Sequence, residues 1–323
     1  MKAAVHTRYG PPEVARISEV DDPAVGDNDV LVRVHATTVN RTDCAYRAAK
    51  PFFMRAATGL TRPRRKVLGT EFAGVVDKVG GGVTSLAVGD RVFGYNEGAF
   101  GTHAEYLSVP EGGMIATMPA GMKFGEAAPA TEGSHYALSS IRKAGVQAGQ
   151  DVLVYGATGA IGSAAVQLLK CFDATVTAVC DTASLEMVRG LGADRVIDYT
   201  AEDFTADEQR YEVVIDAVGK TTFGQCRRLL KPGGVYLFSD LGPWWQNLAL
   251  TLVTPLFRGK KVQLAVPQQD KETALHLRKL MESGRFRPVI DRRYPLDQIA
   301  DAYRYVETGQ KIGNVVIDVV PPT

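Results

Sequence analysis

Val154-Tyr155-Gly156-Ala157-Thr158-Gly159-Ala160-Ile161-Gly162 leaves an apolar strand and opens a helix. A tight strand-to-helix turn demands small residues. Gly159 lets the backbone approach a pyrophosphate, and Gly162 lets helix and strand pack closely. Amides at the helix start then face the negative charge with a favourable dipole. Glycines gather in loops by chance, so the context decides. This motif follows the first strand of an expected parallel sheet and therefore reads as a dinucleotide fingerprint. Its candidate contacts are Gly156, Thr158, Gly159, Ala160, Ile161 and Gly162.

Outward from the motif, apolar strands are expected at 151–155, 174–180, 195–197, 212–215, 235–238 and 261–265, with helices between them, as at 161–170 and 185–191. Near-continuous apolar strands joined by helical crossovers make a parallel sheet covered on both faces. Six of them make a doubly wound Rossmann domain. Before residue 123 the pattern is different. Short alternating runs at 30–34, 74–79, 90–94 and 104–109 lie between Gly, Pro and Asp turns and imply a compact β-barrel-type domain. After 266, helices at 271–282 and 296–308 and a last strand at 314–319 complete the chain, that strand joining the first domain. The expected class is α/β, with one domain formed by 1–122 and 266–323 and the Rossmann domain by 123–265.

The second strand ends in Val179-Cys180-Asp181. A carboxylate there accepts hydrogen bonds from the adenosine ribose diol and selects NAD; the alternative is that Asp181 caps the helix beginning at Ala183. The turns Ala217-Val218-Gly219 and Ser239-Asp240-Leu241 follow later strands, and strand carboxyl ends line the ligand crevice of such sheets. Ala217, Val218, Gly219, Ser239 and Leu241 are therefore candidate cofactor contacts.

Composition narrows the partners. Across 323 residues, 37 basic and 36 acidic residues leave a net charge of +1, which gives no sign of a nucleic-acid or membrane partner. Cys44, Cys171, Cys180 and Cys226 show neither zinc-ligand nor disulfide spacing, so no metal site is expected from them. No signal peptide can be built from the first residues, and the apolar run 248–257 is too short to span a bilayer. A cytoplasmic location is the expectation.

Further segments carry a family likeness: Val39-Asn40-Arg41-Thr42-Asp43, Leu68-Gly69-Thr70-Glu71-Phe72-Ala73-Gly74-Val75-Val76, Val88-Gly89-Asp90-Arg91-Val92, Leu191-Gly192-Ala193-Asp194, Val196-Ile197-Asp198-Tyr199 and Leu230-Lys231-Pro232-Gly233-Gly234. With the glycine motif, they make the chain resemble the medium-chain dehydrogenase/reductase superfamily, in its zinc-free quinone oxidoreductase (ζ-crystallin-like) branch. The resemblance spans essentially the whole chain and implies a GroES-like catalytic domain beside the Rossmann domain. Where zinc-dependent members carry ligands, Asn40, Thr70 and Pro129 stand here, none a usual zinc ligand. Without a metal to stabilise an alkoxide, the resemblance implies reduction of quinones or α,β-unsaturated carbonyls, whose charge spreads by conjugation.

The resemblance also nominates site residues. Asn40 either holds a substrate oxygen or shapes a turn. Tyr46 either donates to the substrate or belongs to the core, since relatives carry the tyrosine one position earlier, at Ala45. Asp43 and Arg47, one helical turn apart, pair with each other in the simplest reading. Thr131 and Asn314 match regions that reach the nicotinamide, and His135 is a structural histidine or a general acid. Trp244, Trp245 and the run beyond them form a pocket wall or a dimer face; the branch commonly forms homodimers. The branch prefers NADPH, yet the loop Cys180-Asp181-Thr182-Ala183-Ser184 lacks the basic residue that relatives carry, leaving Arg189, Arg195 or Tyr199 to meet a 2′-phosphate. NADPH is the expectation from the branch, NADH the alternative from local chemistry. Competing readings are an enoyl-thioester reductase, for which Arg62, Arg64, Arg65 and Lys66 offer a basic cluster, a zinc-free alcohol dehydrogenase, and a non-catalytic NAD(P)H-binding sensor or structural protein.

Overall fold

A computed structural model describes residues 1–240, 245–257 and 259–321. The chain divides into two compact units, Met1–Glu132 with Gln269–Thr323, and Gly133–Gln268. The boundaries lie at 132/133 and 268/269, beyond the 122/123 and 265/266 expected. The first moves for a physical reason: the short helix Phe124–Ala127 packs on strands Asp29–Val39 and Glu71–Val79, and Thr131 and Glu132 bond to Glu71.

The first unit is built on the long strand Asp29–Val39. Glu71–Val79, Tyr106–Pro110 and the terminal strand Asn314–Asp318 all pair antiparallel with it. Register shifts within its pairing with Glu71–Val79 bend the sheet. Val30, Val32, Val34, Phe72, Val92 and Ile115 alternate inward to form its core. The last strand thus joins the first domain, as its position after the second helix suggested. The expected 296–308 helix is a short 3₁₀ turn, Leu296–Gln298, followed by the α-helix Ile299–Glu307.

The second unit is a six-stranded, wholly parallel sheet. Its order is Arg195–Asp198, Thr175–Cys180, Asp151–Tyr155, Tyr211–Asp216, Leu230–Phe238, Lys261–Gln263. The chain builds outward from Asp151–Tyr155 in one direction, then returns to its other side. That reversal opens a crevice at the carboxyl ends of Asp151–Tyr155 and Tyr211–Asp216. Leu153, Val179, Ile197, Val214 and Tyr236 fill one side of the sheet.

Candidate active site

The glycine turn sits at that crevice. Gly156 has φ 77°, in the left-handed region, and a Cβ on it would stand 2.7 Å from both Val218 methyls. A Cβ on Gly162 would lie 2.1 Å from the Gly156 carbonyl oxygen and 2.8 Å from the Ala157 Cα, so this glycine lets helix Ala160–Lys170 sit against the turn. Gly159 caps that helix without any side-chain hydrogen bond. A Cβ on it would meet nothing nearer than 3.8 Å, so its backbone is open. Uncapped first-turn amides at a bare backbone are a receptor for an anion. Thr158, Ala160 and Ile161 are half-buried beside them.

Asp216, which belongs to none of the sequence motifs, organises the neighbouring turn. Its Oδ1 accepts from the amides of Val218 (3.1 Å) and Gly219 (2.8 Å), and its Oδ2 from the Thr221 amide, the Thr221 hydroxyl and the Tyr236 hydroxyl. The Ala217 amide bonds to the Tyr155 carbonyl, and that of Ser239 to the Asp216 carbonyl. The structure therefore brings Gly156, Ala217, Val218, Gly219 and Ser239 to one sheet edge. An acidic residue ending a central strand before a Gly-containing turn was the signal available for Asp216. Leu241 and Trp244 lie outside the described residues.

At the end of the second strand, Asp181 precedes a 3₁₀ turn but makes no capping hydrogen bond. The capping alternative fails because its side chain does not reach those amides. Its Oδ1 is instead buried without a partner, a costly state that an incoming hydroxyl relieves. Tyr199 is exposed nearby, its amide bonded to the Cys180 carbonyl. Thr182 donates to Asp198 (2.6 Å), adding a second carboxylate. Arg189 and Arg195 are held by Glu186 and Asp207. The glycine cradle, the uncapped helix start and the orphaned Asp181 oxygen together fit a dinucleotide.

The first unit gathers a buried polar cluster. Asn40 caps helix Arg41–Ala48, its Oδ1 accepting from the Asp43 amide and its own amide donating to Asp43. Its Nδ2 donates to the Thr70 hydroxyl (2.8 Å) and to Glu132. Both amide protons are spent, which corrects the expectation that Asn40 holds a substrate oxygen: it shapes the turn and positions Glu132. Thr42 also donates to Glu132 (2.9 Å). Glu71 accepts from the Thr131 amide and hydroxyl, the Glu132 amide and the Thr38 hydroxyl. Thr131 is therefore committed to Glu71, and Asn314 donates to the Val289 carbonyl, 3.0 Å away. Asp43 and Arg47 do not pair. Asp43 takes the Asn40 and Gly69 amides, whereas Arg47 reaches Glu307 and the Gly10 carbonyl. His135 is fully buried, its ring 4.7 Å from that of Tyr136.

Of the positions that the resemblance aligns with zinc ligands, Asn40 and Thr70 thus carry an amide and a hydroxyl, each bonded to Glu132, and Pro129 carries no donor atom on its side chain. Zinc favours thiolates and imidazoles, and among the described residues no three His, Cys, Asp or Glu side chains cluster for a metal. This donor set does not fit zinc. Burial, and after it the carboxylates of Glu71 and Asp43, hold the Glu132 carboxyl well above its usual range. Sequence reading missed Glu132 although it stands where the local pattern departs from relatives.

A raised carboxyl has a stability signature. Well below pH 4.5 both folded and unfolded chains hold the proton, and the group contributes nothing. Above about pH 4.5 the unfolded chain releases it first, so stability falls as pH rises. Glu132→Gln removes that slope. Thermal unfolding from acid to neutral pH is expected to show wild type losing ground to the variant as pH rises; a constant offset between them would count against a raised Glu132.

A separate cavity of about 470 Å³ in the same unit is lined by His6, Tyr9, Tyr46, Leu68 and Phe100 among others. Tyr46 lines this cavity and packs on the buried Phe100, ring centroids 4.6 Å apart. Tyr9 spends its hydroxyl on Thr58 and Gly59, but the Tyr46 hydroxyl makes no hydrogen bond among the described residues.

Residues 26–120 match the alcohol dehydrogenase GroES-like domain family, and residues 191–317 match the zinc-binding dehydrogenase family. The chain is 34% identical to a 2-methylene-furan-3-one reductase of Solanum lycopersicum, over 99% of this chain and 80% of that protein. It is 32% identical to a chloroplastic NADPH-dependent alkenal/one oxidoreductase of Arabidopsis thaliana, with the same coverage. The structure of a quinone oxidoreductase from Coxiella burnetii matches with TM-score 0.87 and 26% identity, over 99% of both chains. A split GroES-like unit around a Rossmann unit with a dinucleotide cradle defines a nicotinamide-dependent oxidoreductase. The chain belongs to the medium-chain dehydrogenase/reductase superfamily, in its quinone oxidoreductase branch.

Proposed function

We propose that this protein reduces quinones or α,β-unsaturated carbonyls without zinc, using NADH in preference to NADPH. One observation carries the reading: Asn40, Thr70 and Glu132 bond to one another where the resemblance aligns zinc ligands, so an acceptor is left with the hydrogen bond of the Tyr46 hydroxyl. Conjugated acceptors need no more, because their developing charge is delocalised. When bound, the reduced nicotinamide supplies the hydride. The Phe100 and Leu68 side chains give a flat acceptor an apolar slot, and the free Tyr46 hydroxyl donates to its oxygen; burial holds that phenol above its usual range and therefore protonated. Asn40 acts by positioning.

The NADH preference departs from the NADPH expected of the branch. It is supported by the unpartnered Asp181 Oδ1, the adjacent Asp198 and the pairing of Arg189 and Arg195 with carboxylates. The reading includes a cytoplasmic homodimer; exposed Leu252, Leu256 and Phe257 beside edge strand Lys261–Gln263 support self-association. Among the described residues no helix is long and apolar enough to cross a membrane.

Chelator-treated protein should oxidise NADH in the presence of a benzoquinone or an enone, and added zinc should not raise the rate. Turnover that depends on restored zinc, or oxidation of simple alcohols alone, would sink the reading. Tight cofactor binding with no acceptor reduced would favour a sensor.

A further inference from the structure

Residues 44–70 hold seven of the chain's 37 basic residues and none of its 36 acidic ones. The near-neutral net charge conceals this asymmetry. Arg62, Arg64, Arg65 and Lys66 are exposed and make no ion pair among the described residues. The same stretch exposes Phe52 to 74% and Leu60 to 73%. Unmatched cations beside exposed apolar tips are the chemistry of a peripheral membrane contact.

We propose that the 52–66 segment docks this protein on an anionic lipid bilayer, with Phe52 and Leu60 entering the headgroup boundary and the four cations meeting lipid phosphates. Charge decides against a second copy as the occupant, because a two-fold contact would set each basic patch against itself. An acidic protein would satisfy the cations but gives no reason for the apolar tips. The inference goes beyond the reductase reading and does not depend on it. It has a bearing on it, however: Thr58, Pro63, Arg64 and Arg65 also line the 470 Å³ cavity, so one segment both faces the bilayer and walls the cavity. A lipophilic acceptor dissolved in the membrane would meet the cavity wall where the protein docks.

Co-sedimentation of the full chain with phosphatidylcholine vesicles, with and without phosphatidylglycerol, tests this. Binding is expected with phosphatidylglycerol, weak binding without it, and release by salt. Arg62→Gln/Lys66→Gln should weaken binding roughly thirtyfold, at about a tenfold loss or less per charge. Phe52→Ser/Leu60→Ser should weaken it at least about tenfold. All four positions are exposed, and unchanged thermal midpoints will verify folding. The proposal is overturned if phosphatidylglycerol vesicles bring down no protein at low salt, if both lipid compositions bind equally, or if neither double variant alters binding. It is also overturned if Phe52→Ser/Leu60→Ser instead dissociates an oligomer that covers the patch.

Discussion

Gly162→Ala is expected to lower stability by roughly 3 kcal/mol, by forcing a methyl into packed backbone, and to abolish dinucleotide binding. The added Cβ would lie 2.1 Å from the Gly156 carbonyl oxygen, with the Gly156 carbonyl carbon and the Ala157 Cα both at 2.8 Å. Each obstacle is backbone, so no rotamer change relieves it. Helix Ala160–Lys170 must move off the turn, and the amides that face an anion move with it. Gly159→Ala is the matched control. Its Cβ would meet only ordinary contacts at 3.8 Å, yet it would stand on the bare backbone beside the helix start. That variant should melt near wild type while binding cofactor at least about tenfold more weakly, the loss expected when a close backbone approach is blocked. Calorimetry and a fluorescence titration of NADH would separate the two. Equal melting losses in both variants would show that the two glycines do not divide packing from approach in this way.

Asp181→Ser with Ala183→Lys, the latter at an exposed position of the loop, is expected to reverse the cofactor preference. A carboxylate about 5 Å from a 2′-phosphate, at the effective dielectric of a protein surface, opposes each unit of its charge by about 3 kcal/mol. Removing it, and placing a lysine where the loop now has none, should raise the NADPH-to-NADH ratio of kcat/KM at least about a hundredfold. Asp181→Ser alone should move the ratio part of the way, mainly by weakening NADH, because the ribose diol loses its acceptor. A wild type that already favours NADPH, or a ratio that the double variant leaves in place, would overturn the assignment of Asp181 as selector.

These variants differ in how far the chain itself announced them. Gly162 and Asp181 belong to local patterns, a strand followed by a glycine turn and a strand followed by an acid, and local patterns survive in one dimension. Asp216 was nearly as local, but its carboxylate gathers amides from a turn whose shape is not written in any motif. Glu132 was beyond reach. It is buried because Asn40, Thr42 and Thr70, distant in the chain, converge on it. For Asn40 residue type and position left a substrate contact and a turn both open; the capping of its own helix and the bonds to Thr70 and Glu132 occupy its hydrogen-bonding groups.

By itself the sequence determined the α/β class, the parallel six-stranded sheet, the split of one domain around the other and the glycine turn. Each depends on periodicity or on a short run of small residues, which the backbone reads locally. Only the tertiary structure decided which polar groups were already satisfied and which were left waiting. It showed that Arg47 turns to Glu307 rather than to Asp43, that Asp181 keeps an unpartnered oxygen, and that Tyr46 keeps a free hydroxyl in a cavity. Hydrogen bonding saturates, and which donor reaches which acceptor first depends on the packing of distant segments, so reactivity at the site emerges only once the chain has folded.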